Sequence, residues 1–561
     1  MSDRVALPAT DAIRACLVLA VVCAVHLAVS FAWFTREEVF LLPPRWDQAA
    51  LLTKGLLAYQ AGQKAGVIAW LKTLAVEYKL MELMLPATTG GLYFLLGTSQ
   101  HVAYLTNLVY LWPLSCAVFL LAATDSGSRL AGWVAVWICF TLPGTIIFSR
   151  EYSPEPVLAV WMALGLWCYV RSDRCHRLPW TIGAGTCLGL ALLSRKTAAA
   201  YLAGPLLFAG WQVLTDGRPD ARRRVTHALA AFGIGGVLAA IWYLPHGRGI
   251  VQHLLYYGTG EGSLFYVGDA PTWLERVERA LRYGVDYGVG FGYTVIGLAL
   301  LIWWTARMRR LWRQGTWTGF GVTGLCGTWL MISGAMLTIS NVYAAQFFVP
   351  LLPPVAVLIG RGAARVWATR GRALVFGVLV LVGGMNYLLV QYGTSWLPSE
   401  ARLGSVLLYS QLEPELQETK RMIGLLGRPA TDWQQAQLLA AIEGTGHGGC
   451  RYVFVAVDHP FLNVNNVNYG LVQRGRTERA FAALRQPVQE QQTAIRYADC
   501  VVAKTRVPYP EAERFTMRWQ DVLEGFQTQQ GEWHEAGHWP LPDGADVVLF
   551  RRVGKEGRRT S

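Results

Sequence analysis

The sequence is short of charge. Only 16% of its 561 residues are Asp, Glu, Lys or Arg, against roughly 25% in an ordinary soluble chain. That scarcity excludes a typical water-soluble enzyme. Acids are scarcer than bases, 37 against 50, which leaves a net charge of +13. Cysteine is sparse, with 10 residues spread along the chain, so a disulfide scaffold is excluded. Glycine is frequent but follows no period, which removes a collagen-like reading. What the chain has in quantity is apolar surface: 53% of residues are hydrophobic and the mean hydropathy is +0.29. So much apolar surface also rules out disorder. A polytopic membrane protein remains.

Membrane spans need about 20 mostly apolar residues. Eleven stretches qualify as candidates: 12–33, 102–123, 130–148, 155–170, 179–193, 197–214, 227–244, 290–306, 319–338, 345–360 and 373–392. The first run is long and ends in Trp33-Phe34 without a small-residue cleavage site, so it reads as a span and not a removed signal. With the N-terminus inside, the inner side carries eighteen Arg, Arg4 and Arg14 at the N-terminus included. The short outer loops carry three basic residues, Arg150, Arg195 and Lys196. That bias sets a cytoplasmic N-terminus. It also assigns the basic excess to topology, so no nucleic-acid partner is expected.

Two outer loops are long. Residues 35–101 mix charges with apolar stretches at Leu51–Tyr59 and Val67–Leu74, the pattern of helices lying in the membrane interface. Residues 244–289 are rich in Tyr and Gly. Composition shifts after residue 393, where charges and Gln replace long apolar runs. The expected division is therefore a transmembrane region, 1–392, and an extracytoplasmic α/β domain, 393–561. Its strands are expected at Arg451–Val457, Cys500–Lys504 and Asp546–Arg551, and its helices at Asp432–Ile442 and Pro510–Gln527.

Ionisable groups near the membrane are costly and therefore functional candidates. Asp47, in Pro43-Pro44-Arg45-Trp46-Asp47-Gln48, is suited to act as general base on a hydroxyl. Taken alone, the residue type reads first as a cap for the helical run Ala49–Tyr59. Ser149-Arg150-Glu151-Tyr152-Ser153-Pro154-Glu155-Pro156 packs an Arg and two acids into a tight hairpin. An Arg150–Glu151 ion pair and a helix-start Glu155 would explain it structurally. Arg195-Lys196 are adjacent cations on the outer face, suited to a phosphate, by a forked contact and a point charge respectively. Snorkelling to bulk headgroups is the plainer account. His246, Arg248, His253, Tyr256, Tyr257 and Glu261 offer polar and aromatic groups for a sugar, or an ordinary loop.

In the C-terminal region, His534-Glu535-Ala536-Gly537-His538 matches a zinc-ligand pattern, but that pattern needs a helix. Gly537 and Pro540 argue against one, so no metal ligand is assigned. Cys450 and Cys500 read equally as a disulfide or as two buried thiols. Asp458-His459-Pro460 and Asn463 to Asn468 follow the first strand, where ligands often bind and where turns also recruit Asn.

Taken in order, these segments resemble the GT-C membrane glycosyltransferases, nearest to bacterial relatives of protein O-mannosyltransferases and of lipid A aminoarabinose transferases. Pro44-Arg45-Trp46-Asp47-Gln48 is similar to the family's acidic segment, with Gln48 where a second acid is common. Phe148–Arg150 through Glu155-Pro156 resembles its second outer loop. Ser194–Ala198 resembles the segment whose Lys meets a lipid phosphate. Val342-Tyr343 through Phe348–Pro353 resembles its late proline-containing span, without the matching Arg.

The resemblance implies an inverting transfer of a sugar from a polyprenyl-phosphate donor to a lipid, protein or polysaccharide hydroxyl on the outer face of the inner membrane. Asp47 and Glu155 would be catalytic, and Lys196 with Arg195 would bind the donor phosphate. Arg45, Arg150, Glu151, His246 and Tyr343 would contact substrate. A divalent cation would be held near Glu155 if the reaction uses one. A lipid or solute transporter is the competing reading. It expects paired halves with broken helices, which the sequence does not show. A scaffold whose outer domain binds a partner is the third.

Overall fold

Long apolar runs with few charges satisfy their own backbone only as helices when water is absent, and helices dominate the computed structural model. It describes residues 8–36, 42–78, 80–124, 128–215, 220–258, 272–313, 321–340, 344–367, 372–392, 398, 400–404, 406–411, 432–444, 449–476, 479–482, 488–505, 517–527 and 532–553. Helices α1 to α10 are Ala9–Arg36, Trp46–Val76, Met84–Leu96, Gln100–Ala123, Arg129–Thr141, Pro143–Ser149, Glu155–Arg171, Leu178–Ser194, Ala198–Thr215 and Ala221–Gly258. Further helices at Trp273–Arg282, Phe291–Arg313, Gly321–Ile339, Leu352–Trp367 and Arg372–Asn386 follow.

Among the described residues, seven helices are long and apolar enough to cross a membrane, or nine if each of two bent pairs is one span. Two more of the eleven expected stretches form 17-residue helices, α7 and α8. The bends have local causes. Pro143 opens α6 after α5, and the pair turns by 59°. Gly290, at φ 81°, joins the helical stretch ending at Val289 to Phe291, where the turn is 106°. That backbone angle favours glycine because it carries no Cβ.

The expected loop at 244–289 is largely helical, which corrects the sequence reading. Helix α10 continues through Pro245 to Gly258, and residues 273–289 are helical as well. Ile250, Val251, Leu254 and Leu255 recur at helical spacing, and that apolar pattern outweighs the Tyr and Gly content. Tyr257 lies at the end of α10 and Glu261 lies outside the described residues.

The chain divides into two compact units that are not contiguous in sequence. One comprises residues 1–33, 82–85 and 104–414; the other comprises 34–81, 86–103 and 415–561. The loop expected at 35–101 therefore belongs mostly with the C-terminal α/β region.

In the first unit, α7 and α8 pack together and α10 packs on α8. Small residues let these backbones approach. A methyl added at Gly185 on α8 would overlap the backbone of Ala231 on α10. Replacing Gly185 by Val is thus expected to lower stability by about 1–3 kcal/mol. At Gly210 on α9 an added methyl meets open space, so Gly210→Ala should stabilise by up to about 1 kcal/mol. Thermal unfolding in detergent distinguishes the two signs. A separate apolar cluster joins Ile146 and Phe148 to Tyr287, Val349, Val390 and Leu407. The last of these lies on β2 (Val406–Ser410), paired antiparallel with β1 (Glu400–Leu403).

The second unit carries a five-stranded sheet ordered β4-β3-β5-β7-β6. These strands are β3 Tyr452–Val455, β4 Arg479–Phe481, β5 Cys500–Lys504, β6 Trp533–Pro540 and β7 Asp546–Arg552. Strands β3, β4 and β5 run parallel; β7 and β6 are antiparallel additions. The three expected strands are all present. The expected helices appear as Gln435–Glu443 and Trp519–Gln527, with residues 506–516 outside the description. Cys450 and Cys500 form a disulfide across 50 residues. The His534–His538 segment lies in β6, not on the helix that a zinc-ligand pair would need. There His538 pairs with Asp546 and Glu535, which raise its pKa.

Candidate functional site

In the first unit, α8 ends at Ser194, Arg195 turns extended, and α9 begins at Ala198. The break places a cation between two helices that are otherwise apolar at this end. Arg195 Nη2 lies 3.0 Å from Glu155 Oε1, and Arg195 Nη1 lies 3.2 Å from Glu82 Oε1. Both carboxylates are almost wholly buried. Glu155 starts α7 after Pro154, which explains its position at the head of a helix, where a negative charge is favoured. Glu82 is brought in by a backbone bond from Leu83 N to Leu193 O, 3.1 Å. Phe347 covers the guanidinium, with its ring centre 5.4 Å from Arg195 Cζ. Tyr201 on α9 donates to Phe347 O at 2.7 Å and holds that ring's backbone in place. Lys196, half-buried, follows directly.

The hairpin before α7 is equally ordered. Arg150 is buried, its guanidinium stacks 3.8 Å over the Trp33 ring, and Nη2 donates to Gln411 O at 2.8 Å. The backbone oxygens of Glu151 and Ser153 accept from the Asn107 amide, the latter at 3.0 Å. His246 is half-buried along α10, one residue past Pro245. Tyr343 lies outside the described residues; the adjoining proline-containing segment is a 3₁₀ turn, Ala345–Leu351.

In the second unit, α2 begins at Trp46, so Asp47 sits inside its first turn. That corrects its expected place as the residue capping the helix. Arg45 takes the cap position, and Gln48 Oε1 accepts from Arg45 N at 3.3 Å. Asp47 is exposed, whereas Arg45 is buried. The turn is gripped by the segment after β3. Trp46 Nε1 donates to Asp458 Oδ1 at 3.1 Å, Asn465 Nδ2 donates to Trp46 O at 3.1 Å, and Asn466 Nδ2 donates to Pro44 O. Asn463 caps the helix Val464–Gln473 through Asn465 N and Asn466 N. The Asn-rich stretch thus spends its amides on protein backbone.

Sequence reasoning singled out Glu155, Arg195 and Lys196, and the structure brings the first two into contact. It missed Glu82, whose signal was available: a single acid inside the apolar run Leu80–Leu85. Also missed was Lys54 of the second unit, fully buried in α2 with Nζ donating to Met81 O at 2.8 Å. Among the described residues no group of three or more His, Cys, Asp and Glu could hold a metal ion. Glu82 and Glu155 are the carboxylates a divalent ion would meet near Arg195, and that guanidinium already bridges them.

His459, beside Asp458, is buried against Trp433, with ring centres 4.4 Å apart. Burial, reinforced by the Lys504 charge, holds its pKa well below the usual histidine value. The unfolded chain therefore binds a proton below about pH 6.5 that the folded one does not. Stability from His459 is complete above that pH and is lost on acidification, by up to about 1.4 kcal/mol per pH unit. Replacing it with Asn keeps an acceptor for Phe461 N, which Nδ1 now serves at 3.2 Å. His459→Asn is expected to melt with a flatter dependence on pH between 7 and 5 than the parent.

Residues 100–246 match the family model of the dolichyl-phosphate-mannose-protein mannosyltransferases. No curated protein matches the chain in sequence. Among solved structures, ArnT from Cupriavidus metallidurans in the apo state is similar, with a TM-score of 0.57 at 13% identity, covering 95% of this chain and 97% of that one. ArnT from the same organism bound to undecaprenyl phosphate gives a TM-score of 0.53 at 13% identity, covering 97% and 98%. The matched stretch includes Arg150, Glu155, Arg195 and Lys196. This chain is a multi-pass helical protein with the membrane fold of ArnT, as the GT-C resemblance in its sequence led us to expect.

Proposed function

We propose that the protein is an inverting glycosyltransferase that moves a sugar from a polyprenyl-phosphate donor to an acceptor hydroxyl at the outer face of the membrane. The reading is carried by the buried cluster Glu82–Arg195–Glu155 beside Lys196, most of it within the stretch similar to the mannosyltransferases. ArnT has been observed with undecaprenyl phosphate, and the likeness to it runs nearly the whole length of both chains.

In this scheme Asp47 takes the proton of the acceptor hydroxyl as its oxygen attacks the anomeric carbon. The bond from that carbon to the lipid phosphate breaks, and the phosphate leaves with the electron pair. Lys196 neutralises the departing charge, an electrostatic contribution that grows where water is excluded. Arg195, held by two carboxylates, fixes Glu155 for contact with sugar or acceptor. A phosphate is a good leaving group, so one displacement suffices and the anomeric configuration inverts.

The test is transfer by the purified protein in lipid vesicles, using radiolabelled sugars on polyprenyl phosphate from a membrane lipid extract. Label appearing in an acceptor with inverted linkage is the expected result. Label that merely crosses the bilayer, still attached to its lipid, would replace this reading with a flippase.

A further inference from the structure

The segment that carries Asp47 has an unusual backbone and an unusual set of restraints. Trp46, immediately before it, has φ 21°, at the edge of the left-handed region that a bulky residue avoids. Such conformations persist where the surroundings over-determine them, and they gather at functional sites. Here the restraints all come from one stretch of the α/β region: Asp458 holds the Trp46 indole, Asn465 the Trp46 carbonyl and Asn466 the Pro44 carbonyl. A helix start needs none of these. Gln48 already accepts from the Arg45 N–H, and α2 buries its own apolar residues from Ala49 to Leu52.

Resting on the reading of Asp47 as the base, we propose that Asp458 is a positioning residue of the transferase: it clamps Trp46 and thereby fixes the direction of the Asp47 carboxylate. The α/β region then has a defined role in the reaction, because it supplies the clamp. Asp458 is also tuned for the task. Burial first, and the Asp47 charge in addition, push its pKa up to about 6 despite the indole bond. The titratable and charged groups that bear on this corner are Asp47 on α2, which acts on Asp458 directly, the neighbouring His459, and Lys504 on β5, whose charge acts on His459. As the pH falls through about 6, Asp458 gains a proton and its bond to the indole loses the charge that strengthens it.

Three variants test the clamp. Asp458→Ala removes the acceptor, and Trp46→Phe removes the donor while keeping a ring. Each is expected to lower kcat by about 100-fold, the scale of an ångström's misplacement. KM for the donor should stay unchanged, since only the base is misdirected. The double variant should be no worse than either alone, because both remove one bond. Asp458→Asn keeps an acceptor but cannot titrate. Its kcat should sit about tenfold below the parent at pH 7.5, and the fall that the parent shows through pH 6 should be absent. The proposal is overturned if Asp458→Asn retains the parent's acid limb, or if Asp458→Ala and Trp46→Phe transfer sugar within twofold of the parent. Asp47→Asn is measured alongside. Should it remain active, the base assignment itself fails, whatever the clamp variants do.

Discussion

Asp47→Asn is expected to cut sugar transfer by about 10²–10⁴-fold, the usual contribution of a positioned general base. The substitution keeps size and shape and removes only the ability to take a proton. Its structural cost should be small. Asp47 is exposed in the first turn of α2, where a carboxylate adds about 0.3–1 kcal/mol through the helix dipole. Expression and melting temperature should therefore change little. A fall in kcat with donor KM preserved would place the loss in the transition state rather than in binding. Asp47→Glu keeps the base but moves it by a methylene, so it should recover part of the rate. Undiminished transfer by Asp47→Asn at saturating donor would remove Asp47 from the chemistry.

Much of this architecture is legible in the sequence because the signals are local. Apolar runs bounded by Arg give the helices, and β-branched runs such as Val453–Val457 and Cys500–Ala503 give the strands. Arg195 announces itself as a cation where the charge bias forbids one. What the sequence hides is pairing over distance. Glu82 meets Arg195 across 113 residues, and nothing in its flanks names the partner. The grip of Asp458 on Trp46 spans 412 residues. Asn465 and Asn466 illustrate the same limit: as turn formers they are readable, but the carbonyls they hold belong to a helix start far earlier in the chain. The position of Asp47 differed from expectation for a simpler reason. A cap residue is inferred from residue type, and the main chain put Arg45 there with Gln48 folded back upon it.

Arg195→Ala should be the most damaging single change in the first unit. It leaves Glu82 and Glu155 buried with their shared cation gone, and breaking a buried pair from one side costs about 3–5 kcal/mol. A large fall in melting temperature and loss of transfer are both expected, but those two results alone would not separate folding from chemistry. A neutral cluster does so. Combining Arg195→Met with Glu82→Leu and Glu155→Leu removes the charges together, and well-packed apolar replacements of similar volume are often no less stable than the buried ions they replace. The triple variant should therefore recover most of the melting temperature lost by Arg195→Ala. Transfer should stay near background, because the Glu155 carboxylate and the cation that fixes it are both gone. Arg195→Lys is the companion measurement. It keeps one positive charge but not the fork that reaches two carboxylates at 3.0 and 3.2 Å, so it should hold stability better than activity. If the neutral triple variant were stable and transferred sugar at the parent rate, the cluster would be a packing feature of the helices, and the site would have to be sought elsewhere.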